Sequence, residues 1–118
     1  MLGIRAPAAH TGHVPKKGYA GTEVSLTVDG YFADPEQWRA EMAVQIAREE
    51  GIPELTERHW QVITFMRREF LDRGDGPAVR ALSKRSGIGV AELYRLFPSG
   101  PAKVAARIAG IPRPRGCI

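Results

Sequence analysis

The sequence has a single cysteine, Cys117, among 118 residues. One thiol excludes an intramolecular disulfide, a CxxC redox pair and every zinc site built from several thiolates. The chain also lacks an apolar run near the roughly 18–20 residues that a membrane-spanning helix requires. Residues 1–18 lack the continuous apolar core of a signal peptide. We therefore expect a cytoplasmic protein without a membrane segment.

The chain is too short for two independent hydrophobic cores. Its mass of 13.0 kDa, with 43% hydrophobic and 25% charged residues, is typical of one compact domain with a tail. We predict three parts. Residues 1–21 form a flexible N-terminal extension, residues 22–110 a helical domain, and residues 111–118 a mobile arm carrying Cys117.

Acidic residues are absent from the C-terminal end. The sequence has 17 Lys and Arg against 13 Asp and Glu, a net charge of +4. The whole excess lies in residues 99–118, which contain Lys103, Arg107, Arg113 and Arg115 and no acidic residue. This local charge predicts an anionic partner for that end, or an anion stabilised there, rather than a general nucleic-acid coat.

The N-terminal third contains one strand pattern. Val24, Leu26 and Val28 alternate with polar residues and precede an Asp-Gly turn, which indicates a short strand. Its predicted partner is the stretch 18–22, giving a small hairpin. His10 and His13 have no third ligand in view, so we predict neither a metal site nor another cofactor.

Helix signals dominate the remainder of the domain. Asp34 as cap, Pro35 at the first helical position and Gln37 at capping-box spacing predict a helix running to Glu50. Thr56 predicts the start of a second, central helix. Breaks at glycine and proline then predict three short helices, over 78–86, 90–97 and 102–109. The predicted fold is mainly α, a small orthogonal helical bundle with an N-terminal β-hairpin and an extended C-terminal arm.

The arm has the composition of a carrier segment. Pro112 and Pro114 prevent it from continuing a helix, and eight extended residues span roughly 26 Å. Cys117 needs positive surroundings to react as a thiolate, and Arg113 and Arg115 lie nearby while Gly116 leaves its approach open. We expect activation to come mainly from a partner's pocket. The alternative is a basic tail whose cysteine is incidental.

Five blocks of sequence occur in a characteristic order: DGYFADPEQW, AREEGI, LTERHWQVITFMR, LYRLFPSGPAK and AGIPRPRGCI. With them, the chain from about Asp29 to Ile118 resembles the DsrC/TusE family of sulfur carriers. The closing block, with its prolines and penultimate cysteine, is the most specific. The resemblance implies a helical bundle with an N-terminal hairpin and a mobile arm whose penultimate cysteine, here Cys117, takes up sulfur as a persulfide.

Family members in sulfite reduction or sulfur oxidation have a second cysteine, eleven residues before the last, where this chain has Ala106. The resemblance therefore implies the one-cysteine, TusE-like form, a sulfurtransferase-type carrier acting with partner enzymes. Its implied donor is a TusBCD- or DsrEFH-type complex, and its implied acceptor is a tRNA thiouridylase making 2-thiouridine. A DsrC-like carrier in sulfur oxidation or trafficking is the alternative.

Three cations are candidates for a further role. Lys103 and Arg107 are predicted one turn apart on the last helix, and with Arg80 they form a possible basic seat for the folded-back arm or for a partner. Their alternative role is as ordinary solvated charges.

A second resemblance belongs to another functional class. LSKRSGIGVAELYRLFPS, residues 82–99, is similar to the helix-turn-helix of TetR-type regulators, with Gly87 at the turn. The exposed positions of its second helix would offer Gly89, Ala91 and Glu92, which are poor donors to base edges. A helical pair packed in a bundle gives the same apolar spacing, so DNA binding is a secondary hypothesis.

Overall fold

The structure is a computed structural model, and it describes residues 15–116. An antiparallel hairpin of β1 (Lys16–Tyr19) and β2 (Thr22–Ser25) comes first, followed by a 3-10 turn over Pro35–Gln37. The helices are α1 (Ala40–Glu49), α2 (Glu57–Arg73), α3 (Val79–Ser86), α4 (Val90–Leu96) and α5 (Pro101–Ile108). This confirms the predicted mainly α fold with an N-terminal hairpin. No helix within residues 15–116 is long and apolar enough to cross a bilayer.

The hairpin starts earlier than predicted. β1 lies within the stretch 1–21 that the sequence assigns to a flexible extension, and Tyr19 pairs with Thr22 across a two-residue turn. Ala20 and Gly21 both have positive φ, +49° and +77°, as the twist of a tight hairpin requires. The polar sequence KKGY hid β1, because only Tyr19 faces the core. Residues 1–14, with His10 and His13, lie outside the described residues.

The first helix begins five residues later than Asp34 and Pro35 indicated, at Ala40 instead of Pro35. Asp34 does cap, but its carboxylate accepts from the Glu36 N–H of the 3-10 turn. The predicted capping box is wrong, because Gln37 Oε1 instead accepts the Ser25 N–H at 2.8 Å. This contact ties the turn to the hairpin, and the chain extends at Trp38 before α1 starts at Ala40.

The other helix boundaries were predicted closely. Thr56 caps α2, and His59 completes a reciprocal capping box with it. His59 is buried, bonds the Leu96 carbonyl through Nε2 at 2.8 Å and meets the Phe97 ring edge-on. The three short helices each lie within one residue of the predicted bounds.

The central helix is α5, which corrects the assignment of that position to the helix beginning after Thr56. α5 packs against each of the other four helices. Small side chains make this possible, because they let neighbouring backbones approach closely while remaining buried. Buried residues of α5 and its C-terminal cap are Pro101, Ala102, Val104, Ala105, Ala106, Ile108 and Ala109.

The C-terminal end of α5 is fixed by a close contact with Trp38. Gly110 has φ +70° and closes a Schellman-type end, with the Ile111 N–H donating to the Ala106 carbonyl at 3.1 Å. A Cβ on Gly110 would overlap the Trp38 side chain, lying 2.6 Å from its Cβ. Trp38 Nε1 also donates to the Ile108 carbonyl at 2.8 Å, and Arg67 donates to the Ala109 carbonyl at 2.7 Å.

We expect Gly110→Ala to destabilise the protein more than Gly87→Ala, with loss of about 3 kcal/mol or more against about 1–2 kcal/mol. Gly87 is the matched control, because it also ends a helix at positive φ but has no neighbouring atom within 4 Å of the position that a Cβ would take. Thermal and urea unfolding of both variants measure the difference. Equal losses would show that the left-handed backbone alone, and not the Trp38 contact, requires glycine at 110.

Candidate functional site

The arm folds back along the body over the six residues that the structure describes, 111–116. Ile111 and Pro114 are buried and cover Gly76 in the loop between α2 and α3. A Cβ on Gly76 would lie 2.9 Å from Ile111 Cδ1 and 3.6 Å from Pro114 Cγ. This glycine therefore provides the space into which the two apolar arm residues fit.

Two arginine–aspartate pairs hold the arm's charged residues. Arg113 lies 3.4 Å from Asp29, in the turn after β2. Arg115 lies 3.5 Å from Asp75, and its backbone N–H donates to the same carboxylate at 3.3 Å. Arg113, Arg115 and Asp29 are largely exposed, and exposed pairs contribute only about 0.2–1 kcal/mol each. The charged residues of the arm are therefore attached by contacts that a partner can replace.

The Asp29 carboxylate is stabilised in its charged form. A hydrogen bond from the Thr27 hydroxyl, at 2.7 Å, is the main reason that the pKa of Asp29 lies below its ordinary value, with a smaller contribution from Arg113. Because the native pKa is lowered, this contribution to stability is complete above the ordinary value of 3.8 and is lost as the pH falls through the native pKa.

The arm's arginines pair with two aspartates, and of the three cations predicted as a seat for the arm or for a partner, Arg107 is engaged elsewhere. Arg107 does not serve the arm, because its guanidinium pairs with Glu49 at 2.7 Å and Glu50 at 3.0 Å. It also donates to the Gly30 carbonyl at 3.0 Å and to Tyr19 Oη at 3.2 Å. Arg107 is thus a structural link from α5 to α1 and the hairpin.

The Glu49 carboxylate is the centre of that link. Burial would raise its pKa, but hydrogen bonds from Lys17, Arg107 and Tyr19 outweigh burial and lower it. Two charged donors and one phenol therefore keep Glu49 ionised. The sequence did not indicate this pairing, because the partners are up to 58 residues apart.

The other two residues of the predicted seat are exposed. Lys103 lines a small cavity of about 170 Å³ beside the end of the described arm, together with Val79, Tyr94, Ser99, Gly100, Pro101, Ala102, Pro114 and Gly116. Arg80 follows Val79 on α3 but does not line the cavity. Gly116 also packs close to Ala78, so a Cβ on it would lie 3.2 Å from Ala78 Cβ.

Cys117, the predicted reactive residue, lies outside the described residues, and it directly follows Gly116 in the sequence. Ala106 is fully buried in α5, and its carbonyl accepts the Ile111 N–H. Over residues 15–116, no three His, Cys, Asp or Glu side chains are grouped as metal ligands.

Sequence reasoning missed Asp29, Asp75 and Gly76. Each belongs to an Asp-Gly turn, Asp29-Gly30 or Asp75-Gly76, which the sequence analysis used only as chain breaks. The available signal was that both turns contain an aspartate while the C-terminal arm contains arginines, which predicts ion pairs between them. Which turn faces which arginine depends on the tertiary fold.

The proposed recognition helix of the DNA-binding alternative is engaged inside the molecule. Glu92 on α4 pairs with Arg58 on α2 at 2.9 Å, and this pairing keeps its pKa below the ordinary value. Leu93 and Phe97 are fully buried. The apolar spacing that suggested a helix-turn-helix is explained by packing in the bundle.

These features define a class of small proteins in which a helical body holds a folded-back C-terminal arm. A family model described as "DsrC like protein" matches residues 18–118, and the chain belongs to this family. The sulfurtransferase TusE of Escherichia coli K12 is 41% identical over 107 residues, covering 85% of this chain and 97% of that protein. Sodalis glossinidius TusE is 44% identical, with 85% and 98% covered.

Solved structures agree with the sequence relatives. The NMR structure of Allochromatium vinosum DsrC has a TM-score of 0.78 at 35% identity, covering 89% of this chain and 99% of that one. The oxidised gamma-subunit of dissimilatory sulfite reductase (DsrC) from Archaeoglobus fulgidus has a TM-score of 0.74 at 38% identity, with 88% and 100% covered. The predicted function class, a sulfur carrier in a relay with partner proteins, is confirmed. None of these matches supports the DNA-binding alternative.

We expect the double variant Asp29→Asn, Asp75→Asn to release the arm without unfolding the body. Losing two exposed ion pairs raises the undocked fraction by about 2- to 30-fold. Amide hydrogen exchange at Arg115, whose N–H donates to Asp75, measures this fraction. High salt should bring exchange in the wild type closer to that of the variant, because it screens the same two pairs.

Asp72→Asn is the control, because Asp72 is exposed on α2 and faces a different groove. Unchanged exchange in the double variant, with normal exchange in the control, would contradict a role of the two pairs in holding the arm.

Proposed function

We propose that this protein carries sulfane sulfur as a persulfide on Cys117, delivered to partner enzymes by the arm 111–118. The observation that supports this most directly is that replaceable contacts attach the arm's charged residues to the body. The described arm ends at Gly116, and the chain's one cysteine follows it in the sequence. A carrier must present its sulfur and withdraw it in every cycle. Beyond the buried Ile111, the arm is held by two exposed ion pairs and the packing of Pro114, a small set of contacts that meets that requirement.

The proposed transfer is a thiolate exchange that needs no oxidant or reductant. The Cys117 thiolate attacks the outer sulfur of a donor persulfide, a new S–S bond forms to Cys117, and the donor's inner sulfur leaves as a thiolate. Delivery repeats the exchange with an acceptor thiolate, or gives the outer sulfur to another nucleophile. Because only the thiolate reacts, a partner's pocket that lowers the thiol pKa would accelerate the transfer.

The supporting residues of the arm divide into two roles. Pro112 and Pro114 keep it extended, since proline fixes φ and lacks an N–H, and Pro114 also anchors it at Gly76. Arg113 and Arg115 hold it to the body, while Gly116 fits closely against Ala78. Of the predicted basic seat we retain Lys103, whose position beside Gly116 suits it to stabilise an anionic sulfur.

The partners proposed are a TusBCD- or DsrEFH-type donor complex and a tRNA thiouridylase that makes 2-thiouridine, acting in the cytoplasm. Two observations favour this pathway. Relatives at 41–44% identity are named sulfurtransferase TusE, and Ala106 leaves the chain with no second thiol for an internal bridge. A DsrC-like carrier in sulfur oxidation or trafficking is the second candidate, supported by the solved DsrC structures.

We expect intact-mass analysis to show addition of one sulfur atom after incubation with a cysteine desulfurase, its relay proteins and free cysteine. The adduct should be absent from Cys117→Ser and from wild type alkylated beforehand, and a reductant should remove it. An adduct that persists in Cys117→Ser would overturn the assignment. No adduct on wild type would favour an incidental cysteine.

Deleting the gene should abolish tRNA 2-thiouridine, because the proposed relay has no other carrier at this step. Wild type should restore the nucleoside and Cys117→Ser should not, while Asp72→Asn serves as a complementation control. Mass spectrometry of digested tRNA gives the measurement. Unchanged 2-thiouridine in the deletion strain would exclude a required role in tRNA thiolation and favour the second candidate.

A further inference from the structure

Positive charge is concentrated in the second half of the fold. Residues 79–116 contain eight Lys and Arg and one acidic residue, Glu92. Five of the eight are paired within the described residues or lie beside Glu92: Arg85, Arg95, Arg107, Arg113 and Arg115. The remaining three, Arg80, Lys84 and Lys103, are exposed. No described carboxylate forms a salt bridge with any of them.

Exposed apolar side chains lie on α4, which packs against both helices that carry these cations, α3 and α5. Val90 and Tyr94, four residues apart on one face of α4, are 43% and 48% exposed. Tyr94 lines the cavity beside Gly116 together with Val79 of α3 and Lys103 of α5. Arg80 follows Val79, and Lys84 lies one turn further along α3. The cavity at the end of the described arm is thus lined partly by α3 and α5, the two helices that carry the three unpaired cations.

We infer that this surface, formed by Val79, Val90, Tyr94, Arg80, Lys84 and Lys103 and called here the α3–α4 face, docks an acidic protein partner of the relay. The inference deepens the proposed function, since it assigns where the donor complex binds. An exposed aromatic residue beside a cavity is a typical anchor of a protein interface. Unpaired cations on the neighbouring helices α3 and α5 favour carboxylates on the partner, and complementary charge also accelerates association.

A protein fits this face better than a nucleic acid does. Nucleic-acid binding draws its affinity from many Lys and Arg contacts to phosphates, whereas α3 and α5 carry only three unpaired cations here, accompanied by the exposed apolar residues of α4. The position of this face beside Gly116 also connects docking with sulfur transfer. A partner held there lies next to the segment that carries Cys117, so binding and sulfur transfer are adjacent steps.

The groove between α1 and α2 provides the comparison surface. It is lined by Trp38, Ala40, Trp60, Thr64, Arg67, Arg68, Leu71 and Asp72, and it shares no lining residue with the cavity beside Gly116. It also contains an exposed apolar residue, Leu71, at 74% exposure, and an exposed cation, Arg68. Leu71 and Arg68 are therefore matched controls for Tyr94 and for the cations of the α3–α4 face.

The test measures binding of the purified TusBCD-type donor complex to the full chain carrying Cys117→Ser, which separates docking from sulfur exchange. Tyr94→Ala and the pair Arg80→Glu, Lys84→Glu should each weaken binding by about tenfold or more. The charge reversals should lose much of their effect in high salt. Leu71→Ala and Arg68→Glu should bind as the parent chain does.

The outcomes distinguish the docking proposal from the carrier proposal. Persulfide loading of Cys117 by inorganic polysulfide, without any protein donor, tests the carrier chemistry and should be normal in Tyr94→Ala with Cys117 retained. Equal donor binding by the α3–α4 variants and the parent would overturn the docking site, even if loading is normal. Salt-sensitive retention of tRNA that is lost on Arg80→Glu, Lys84→Glu, with donor binding intact, would also overturn it in favour of RNA.

Discussion

The contact between Gly110 and Trp38 determines where the arm leaves the body. Trp38 occupies the space that a side chain at position 110 would need, and its indole N–H bonds the last helical carbonyl of α5. Arg67 lies 4.3 Å above the indole ring and bonds the next carbonyl; burial lowers the pKa of this guanidinium. With the end of α5 satisfied in this way, the chain reverses at Gly110 and passes over Gly76.

Acidic residues of the body hold the arm, and they therefore compete with any partner protein for the arm's arginines. Asp29 and Asp75 take the two arm arginines, while Glu49 and Glu50 take Arg107. Any protein that receives the arm must offer acceptors at least as good as these two aspartates. A partner with acidic residues satisfies this requirement and is also attracted by the cations of the α3–α4 face. One chemical property of the partner thus serves docking and arm release.

Local sequence signals predicted most of the fold, because they act within a few residues. Thr56 as a cap and the glycine and proline breaks after α2 and α3 predicted helix ends correctly. Asp34 and Pro35 led to a wrong helix start, because the same residues can begin either an α-helix or a 3-10 turn. The hydrogen bond of Gln37 with Ser25 favours the turn. The sequence analysis missed the central position of α5 because alanine contributes little to a hydrophobic pattern, although its small side chain permits the closest helix packing.

The site was predictable in its arm and not in its surroundings. Prolines, arginines and the cysteine lie in one short segment, so their pattern can be recognised in the sequence and matched a known family. Asp75 is 40 residues from Arg115 and Asp29 is 84 from Arg113, and only the fold brings them together. Arg107 illustrates the opposite error. Its place in the sequence suggested a role near the arm, but in the fold it pairs with Glu49 and Glu50.

The alternating prolines of the arm have a consequence for how any protein grips it. In an extended chain, Pro112 and Pro114 point their nitrogens toward the same edge, and neither has a hydrogen to donate. That edge cannot complete a ladder, so β-strand addition, a common way of capturing extended peptides, is closed to it there. On that edge a partner must bind the arm through its side chains, and only the opposite edge, with the N–H groups of Arg113 and Arg115, offers backbone donors.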